Sequence, residues 1–182
     1  MPAVLTIKKL TPGTVEAAVA GDLDAIERVA HAWVDQLYRW CARLGGPRVD
    51  AEEAAHDVLM LFVRRHASIR DPARLEAWLF SVCRRVVANH RRRAWYRRWL
   101  PGAVPERPVD EAAPDSERQV YRVLDALSER DREVLTLCYL EERSLAEAGQ
   151  ILGIPEGTVK SRLFTARDRF RTRCLAAVGE LP

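Results

Sequence analysis

Apolar positions along most of the chain recur every three to four residues, the spacing of one face of an α-helix. The clearest run predicts a helix from about Asp22 to Leu44 with Asp22 as its N-cap. Its expected buried positions are Ile26, Val29, Trp33, Leu37 and Trp40. Strand-like alternation is absent, and glycine and proline cluster at a few joints. The pattern therefore predicts an all-α fold.

The same spacing predicts three more helices before residue 100. A short first helix covers Thr14 to Ala20, a third begins near Asp50, and a fourth begins near Pro72. Proline is favoured in the first turn of a helix, which supports the last of these starts. The inward positions expected on the third and fourth helices are Val58, Leu59, Phe62 and Val63, followed by Leu75, Leu79, Val82 and Val86.

A segment rich in proline and acidic residues divides the chain into two halves. Residues 100–118 contain four prolines and five acids, a composition typical of an exposed linker. Helix resumes near Ser116, and the rest of the chain is predicted to break into four short helices. We therefore expect two small helical domains, residues 1–99 and 116–182, joined by a flexible linker at 100–115.

The second half carries the pattern of a helix-turn-helix. Ser144 and Glu147 form a capping-box pattern at the start of a short helix, and Gly149 offers a place where another helix can cross closely. Gly153 ends this helix, and a tight turn leads to Thr158, the predicted N-cap of the next one. A short helix, a turn and a basic second helix are typical of motifs that bind duplex DNA.

The second helix of this motif places an aromatic residue on its polar side. Its apolar stripe consists of Val159, Leu163, Ala166, Phe170 and Cys174. Phe164 lies off the stripe, among Lys160, Ser161 and Thr165. An outward aromatic can contact a thymine methyl while hydroxyls and cations reach base edges or phosphates. We therefore predict that Phe164 reads duplex DNA, with packing against another part of the chain as the alternative.

A second basic segment precedes the linker. No acidic residue occurs between Ala77 and Pro105, and this stretch interleaves arginines with Trp95, Tyr96 and Trp99. The outward face of the helix is expected to hold Arg84, Arg91, Trp95 and Arg98. Aromatic side chains stack on unpaired bases at about 1–3 kcal/mol per base while cations neutralise phosphates. A solvated basic face is the alternative, but such faces usually mix both signs of charge. We predict contact with nucleic acid.

Composition narrows the functional classes. The 182 residues are 48% hydrophobic and 30% charged, with a formal net charge of +3, as in folded proteins. The cysteines Cys41, Cys83, Cys138 and Cys174 form no Cys-x-x-Cys pair and are expected to be buried thiols of a cytoplasmic protein. No apolar run has the length of a membrane span, and no catalytic motif occurs. We predict no catalytic residue, metal or other cofactor.

Two stretches of the chain together resemble a known family. The stretch LSERDREVLTLCYLEERSLAEAGQILGIPEGTVKSRLFTARDRFR resembles region 4 of bacterial sigma factors, and GTVKSRL is its most specific part. The upstream stretches DAEEAAHDVLMLFVRRH and LEAWLFSVCRRVVANHRRR resemble region 2. Because only a linker separates the two regions, the chain is similar to the extracytoplasmic-function (ECF) group of sigma factors.

The resemblance implies a division of roles. The first domain would bind the clamp helices of the largest subunit of core RNA polymerase and the melted minus-ten element, and the second would bind the duplex minus-thirty-five element and the flap of the second-largest subunit. The implied contacts are Glu52, Glu53, His56 and Asp57 for polymerase, Arg84, Arg85, Arg91, Arg92 and Trp95 for minus-ten DNA, and Lys160, Ser161, Arg162, Phe164, Thr165 and Arg167 for minus-thirty-five DNA. An anti-sigma factor is implied as a further partner, one that would hold the protein at the membrane.

Three positions depart from the family pattern. His56 stands where glutamine is usual, Arg85 where asparagine is frequent, and Gly149 where alanine is common. The main alternative function is a stand-alone helix-turn-helix regulator that binds DNA without polymerase. Such regulators usually dimerise, and this function leaves the basic segment without a role. An enzyme is a third alternative, for which the sequence offers no catalytic constellation.

Overall fold

The computed structural model describes residues 10–97 and 115–179, within which eight α-helices and no strand are present. The helices are α1 Pro12–Ala20, α2 Leu23–Gly45, α3 Ala51–Arg65, α4 Leu75–Arg97, α5 Asp115–Asp125, α6 Glu129–Leu135, α7 Leu145–Leu152 and α8 Glu156–Gly179. The predicted all-α fold is confirmed. Residues 100–114 of the predicted linker, together with Arg98 and Trp99, lie outside the described residues.

Aspartate caps fix the starts of the long helices in the first half. The Asp22 carboxylate accepts a hydrogen bond from the Ala25 amide at 2.7 Å, and Asp50 caps α3 in the same manner. The start predicted for the fourth helix at Pro72 is wrong by three residues. Pro72–Arg74 form a 3-10 turn capped by Asp71, and α4 begins only at Leu75.

The core of the first half lies between α2, α3 and α4. The predicted apolar face of α2 is buried, and Trp40 meets Phe80 of α4 edge to face at 5.0 Å between ring centroids. The predicted buried stripe of α4 is confirmed as well. The prediction that Val63 points inward is wrong, because this side chain is 45% exposed. It lies one position beyond Phe62, and the α3 stripe is too narrow to bury both.

The second half is built around α8. Helix α6 packs against α8, and their shared core holds Leu124, Leu127, Val134, Leu135 and Ala166. A π-helical turn, Thr136–Leu140, extends α6 toward α7. The prediction of four short helices is wrong for the last one, since α8 runs for 24 residues. No helix-breaking residue occurs between Gly157 and Gly179, so nothing ends α8 earlier.

The two halves pack against each other. Helix α7 lies on α4, and α5 lies beside the turn at Gly46–Arg48. Leu137, Ala148, Ile151 and Val159 of the second half belong to the same buried apolar cluster as the core of the first half. The sequence did not predict this packing. This packing places α4, the predicted DNA-binding helix, between the core of the first half and the second half.

Candidate nucleic-acid and protein interfaces

The predicted helix-turn-helix is formed by α7 and α8. Ser144 and Glu147 make both capping-box hydrogen bonds, at 2.9 and 3.2 Å. The pKa of Glu147 is lowered, first by the hydrogen bond that the Ser144 hydroxyl donates to its carboxylate at 2.7 Å and then by the bond from the Ser144 amide. Gly153 ends α7 with a left-handed φ of 68°, which favours glycine. A Cβ at Gly149 would lie 2.8 Å from the carbonyl oxygen of Ile154. The close crossing predicted at Gly149 is therefore confirmed.

The predicted N-cap of α8 is corrected. The Pro155 carbonyl accepts hydrogen bonds from the amides of Thr158 and Val159, at 2.9 and 3.1 Å, and the helix begins at Glu156, three residues earlier than an N-cap at Thr158 would place it. Thr158 lies inside the first turn. The apolar stripe of α8 is confirmed, with Val159 and Ala166 fully buried.

The polar face of α8 is open to solvent. Its exposed members include Lys160, Ser161, Phe164, Thr165 and Arg167, whereas Arg162 is half-buried. Phe164 is 76% exposed, so it is not buried against any part of the chain that the structure describes. The Ser161 hydroxyl donates to the Thr158 carbonyl at 3.0 Å, and Thr165 donates to Ser161 at 3.2 Å. Both hydroxyl oxygens retain acceptor capacity toward base edges.

An apolar groove adjoins this face and was not predicted from the sequence. Its volume is about 590 Å³, and it lies between α5, the π-helical turn and α8. Phe164 and Phe170 line it from α8, and Tyr139, 51% exposed, lines it from the π-helical turn. Apolar stripes were the only pattern in the sequence that could have revealed this groove, and Tyr139 lies on none of them. The groove gives the second half an apolar surface beside a cationic one.

The C-terminal end of α4 presents cations and aromatic rings to solvent. Arg85, Arg92, Trp95 and Tyr96 are exposed, and the rings of Trp95 and Tyr96 meet at 5.1 Å with an interplanar angle of 79°. Arg92 donates to the Asn89 side chain at 3.2 Å. Flat side chains beside cations can stack on unpaired bases and neutralise phosphates together.

Arg84 and Arg91 do not share this open face, which corrects the prediction of one continuous basic surface. Arg84 Nε lies 2.5 Å from Glu133 Oε1 of α6. Arg91 pairs with Asp125 at the end of α5 and donates to the Gly45 carbonyl at 2.8 Å. Both cations point at the second half because α4 lies between the two halves.

A buried arginine that the sequence did not reveal stands beside this contact. Arg132 is 2% exposed and donates to the carbonyls of Leu44 and Leu127, at 2.6 and 3.2 Å. Its Nη1 atom lies 3.6 Å from a carboxylate oxygen of Asp125. Burial lowers the pKa of Arg132 to about 10, Arg91 adds to the lowering, and Asp125 opposes it. Arg132 lies in the α6 segment where no apolar stripe or motif singles it out.

The predicted protein-binding residues lie at the start of α3. Glu52, Glu53 and His56 are exposed as expected. Asp57 is only half-exposed, because it faces the buried His90 of α4 with 2.9 Å between Nε2 and Oδ2. Glu53 lies 3.9 Å from the same ring. His90 therefore orients part of this acidic surface, a role that the sequence did not indicate.

The described residues contain no group of three or more His, Cys, Asp or Glu side chains that could hold a metal ion. In the same part of the chain, no helix is both long and apolar enough to cross a membrane. Cys41 and Cys83 are buried free thiols, as predicted, and burial raises the pKa of Cys83. Cys138 and Cys174 are only half-buried, which corrects that prediction.

Family models match both halves. The model of sigma-70 region 2 matches residues 29–97, and the model of sigma-70 region 4 matches residues 123–172. The ECF RNA polymerase sigma factor SigL of Mycobacterium tuberculosis is 31% identical over 161 residues, which cover 82% of this chain and 91% of SigL. The RNA polymerase sigma-E factor of Streptomyces coelicolor is 32% identical over 162 residues, covering 86% and 89%.

Solved structures are similar over most of the chain. The sigma factor RpoE of Bartonella quintana, in complex with the anti-sigma factor NepR, superposes with a TM-score of 0.62 at 25% identity. The match covers 82% of this chain and 96% of RpoE. CnrH in complex with the cytosolic domain of CnrY gives a TM-score of 0.64 at 23% identity, with coverage of 91% and 97%, and supports the fold.

Proposed function

The chain belongs to the ECF group of RNA polymerase sigma factors, and we propose that it binds core RNA polymerase, recognises the minus-thirty-five and minus-ten elements of a promoter, and helps to open the promoter. One observation carries this proposal. A single chain combines an exposed arginine-aromatic surface on α4 with a helix-turn-helix whose second helix exposes Phe164. These surfaces suit melted and duplex DNA respectively.

We assign residues 1–99 to polymerase and minus-ten binding, and residues 116–182 to minus-thirty-five binding. On α8, the residues proposed to read the duplex are Lys160, Ser161, Arg162, Phe164, Thr165 and Arg167. On α4, the residues proposed to bind minus-ten DNA are Arg84, Arg85, Arg91, Arg92 and Trp95. The exposed positions of most of these side chains support the assignment.

Promoter opening requires that bases leave the stack. Extrusion of a base costs a few kcal/mol. Stacking on Trp95 returns about 1–3 kcal/mol per base, and Arg85 and Arg92 can hold the adjacent phosphates. The aromatic-cation surface of α4 can therefore offset the cost of capturing an unpaired base.

Polymerase binding is assigned to Glu52, Glu53, His56 and Asp57 on α3. Three of these side chains are exposed. The first turn of α3 carries the acidic residues Glu52 and Glu53 and no cationic residue. By likeness to RpoE, which was solved with the anti-sigma factor NepR, we propose an anti-sigma factor as a further partner and the cytoplasm as the site of action.

Co-elution with core RNA polymerase in gel filtration tests the proposal. We expect the wild-type chain to co-elute, and Glu53→Arg and His56→Ala to weaken the association because they alter the exposed surface of α3. Glu27→Arg is the matched control, since Glu27 is exposed near the opposite end of α2 from the turn into α3. A chain that does not co-elute, yet binds duplex DNA tightly as a dimer, would be a stand-alone regulator instead.

A further inference from the structure

One buried polar side chain of α4 faces the acidic surface of α3. His90 continues the buried stripe of α4 between Val87 and Ala94. Its neighbours in this stripe are apolar, so packing alone would be satisfied by another apolar side chain at the same position. A buried imidazole needs hydrogen-bond partners. The groups that its two ring nitrogens meet therefore explain why a histidine suits this position.

The ring of His90 meets two carboxylates that lie one helical turn apart. Its Nε2 atom lies 2.9 Å from Oδ2 of Asp57, which is a hydrogen-bond distance. Its Nδ1 atom lies 3.9 Å from Oε2 of Glu53, within the reach of an ion pair. An ionised carboxylate only accepts hydrogen bonds. Nε2 must therefore carry the hydrogen and donate it to Asp57.

Asp57 is the acid of this surface that depends most on such a donor. Glu52 and Glu53 lie in the first turn of α3, where the free amides of the helix end favour negative charge. Asp57 lies beyond that turn, and like charges four residues apart on a helix, as Glu53 and Asp57 are, destabilise each other. The donor on His90 offsets this repulsion and holds Asp57 in one orientation.

Both carboxylates remain accessible to a partner. The side chains of Glu53 and Asp57 are 63% and 46% exposed, whereas the side chain of His90 is 6% exposed. His90 therefore supports the surface from beneath and is not itself a contact residue. Ordering a side chain on binding costs free energy, and a side chain that is already fixed avoids this cost.

We propose that His90 is a positioning residue for polymerase binding, and that its Nε2–H group holds Asp57 in the orientation in which this carboxylate binds a cationic group of core RNA polymerase. The inference rests on the proposed assignment of α3 to polymerase binding. It adds a residue of α4, the helix assigned to minus-ten DNA, to the determinants of polymerase affinity.

Two substitutions of His90 separate positioning from packing. His90→Leu keeps a side chain in the stripe but removes the donor, whereas His90→Gln keeps a donor near the position of Nε2. We expect His90→Leu to raise the Kd for core polymerase about tenfold and His90→Gln to stay within about threefold of wild type. Fluorescence anisotropy of the labelled full chain measures both values. A packing role predicts the reverse order, because a buried amide is harder to accommodate than leucine.

A double-mutant cycle with Asp57→Ala identifies the group through which His90 acts. In the Asp57→Ala background, His90→Leu should leave the Kd unchanged, since the carboxylate that His90 positions is absent. The matched control is the same cycle with Glu52→Ala. Glu52 is exposed on α3, and within the described residues no ion pair joins it to His90. The two losses should therefore add in the control cycle.

Ring ¹⁵N NMR of the free chain provides a readout that does not depend on polymerase. We expect Nε2 of His90 to appear as a protonated nitrogen in the wild-type chain. Its signal should shift in Asp57→Ala, because the acceptor of its hydrogen bond is removed. An unprotonated Nε2 would contradict the proposed hydrogen bond.

Equal Kd values for wild type and His90→Leu, or additive losses in the Asp57 cycle, would overturn the inference and leave the proposed function intact. A wild-type chain that does not bind core polymerase would overturn the proposed function, and this inference with it. Circular dichroism establishes that each variant folds. If His90→Leu does not fold, His90→Met replaces it, because methionine also lacks the donor and adapts more readily to the available space.

Discussion

Arg132 shows how much a single buried charge can contribute to this fold. It is 2% exposed and satisfies two backbone carbonyls as well as facing Asp125. We expect Arg132→Ala to lower the free energy of unfolding by about 3 kcal/mol, because removal of one partner leaves buried polar groups unsatisfied. Urea denaturation measures the change. The exposed Arg130→Ala is the control and should stay within about 0.5 kcal/mol of wild type.

Two glycines of the helix-turn-helix should respond to alanine with opposite signs. At Gly149, a Cβ would lie 2.8 Å from the Ile154 carbonyl oxygen, so Gly149→Ala should destabilise by about 1–3 kcal/mol. At Gly157, nothing lies within 4 Å of the added Cβ. Gly157→Ala should stabilise by about 0.4–1 kcal/mol. Thermal or urea denaturation of both variants checks the pair, and equal effects would contradict the close crossing.

Glu133 should make stability depend on pH in a defined direction. Burial raises its pKa above 4.5 despite Arg84 and Arg162, and Glu129 adds to the rise. The folded state therefore binds this proton more tightly than the unfolded chain. The stability that Glu133 contributes is fully present below pH 4.5 and is lost as pH rises through the folded-state pKa. Relative to Glu133→Gln, wild type should lose unfolding free energy from pH 4.5 toward neutrality, and a flat or opposite trend would contradict this.

At the scale of elements, α8 combines a buried face with the exposed face that we propose reads duplex DNA. Its buried stripe anchors the helix, whereas Phe164 is 76% exposed. Phe164→Ala should therefore leave stability unchanged and weaken binding of the polymerase-bound protein to a selected duplex promoter about tenfold, or about 1.4 kcal/mol. Filter binding measures the affinity. Leu175→Ala, exposed on the same helix, is the control, and equal losses would argue against a reading role.

Elements with strong local signals were predictable from the sequence. The stripe and aspartate cap of α2 and the capping box of α7 depend on residues within a few positions of each other. Start points were less predictable, as Leu75 and Glu156 show, because a short turn can precede or replace the expected cap. Burial at the edge of a stripe, as at Val63, depends on the width of the neighbouring helix surface.

The partners of charged residues could not be predicted. Arg91 meets Asp125, which is 34 residues further along the chain, and Arg84 meets Glu133, which is 49 residues further. Helical periodicity carries no information about pairs at such distances. The basic surface of α4 was therefore predicted as one set, whereas the fold divides it into an open part near Trp95 and a part occupied by the second half.

At the scale of the whole molecule, two recognition surfaces stand on halves that pack together. The exposed arginine-aromatic end of α4 and the exposed face of α8 fit the two promoter elements that an ECF sigma factor must bind. The contact between the halves combines shared apolar core residues with ion pairs.

Transcription of genomic DNA from the source bacterium in vitro tests the sigma-factor function most directly. Core RNA polymerase is incubated with and without the full chain, and the 5′ ends of the transcripts are mapped. We predict a discrete set of start sites that depends on the chain and shares two upstream elements, near positions −35 and −10, with the set diminished by Phe164→Ala. Transcript ends identical to those of core polymerase alone would contradict a role in promoter recognition.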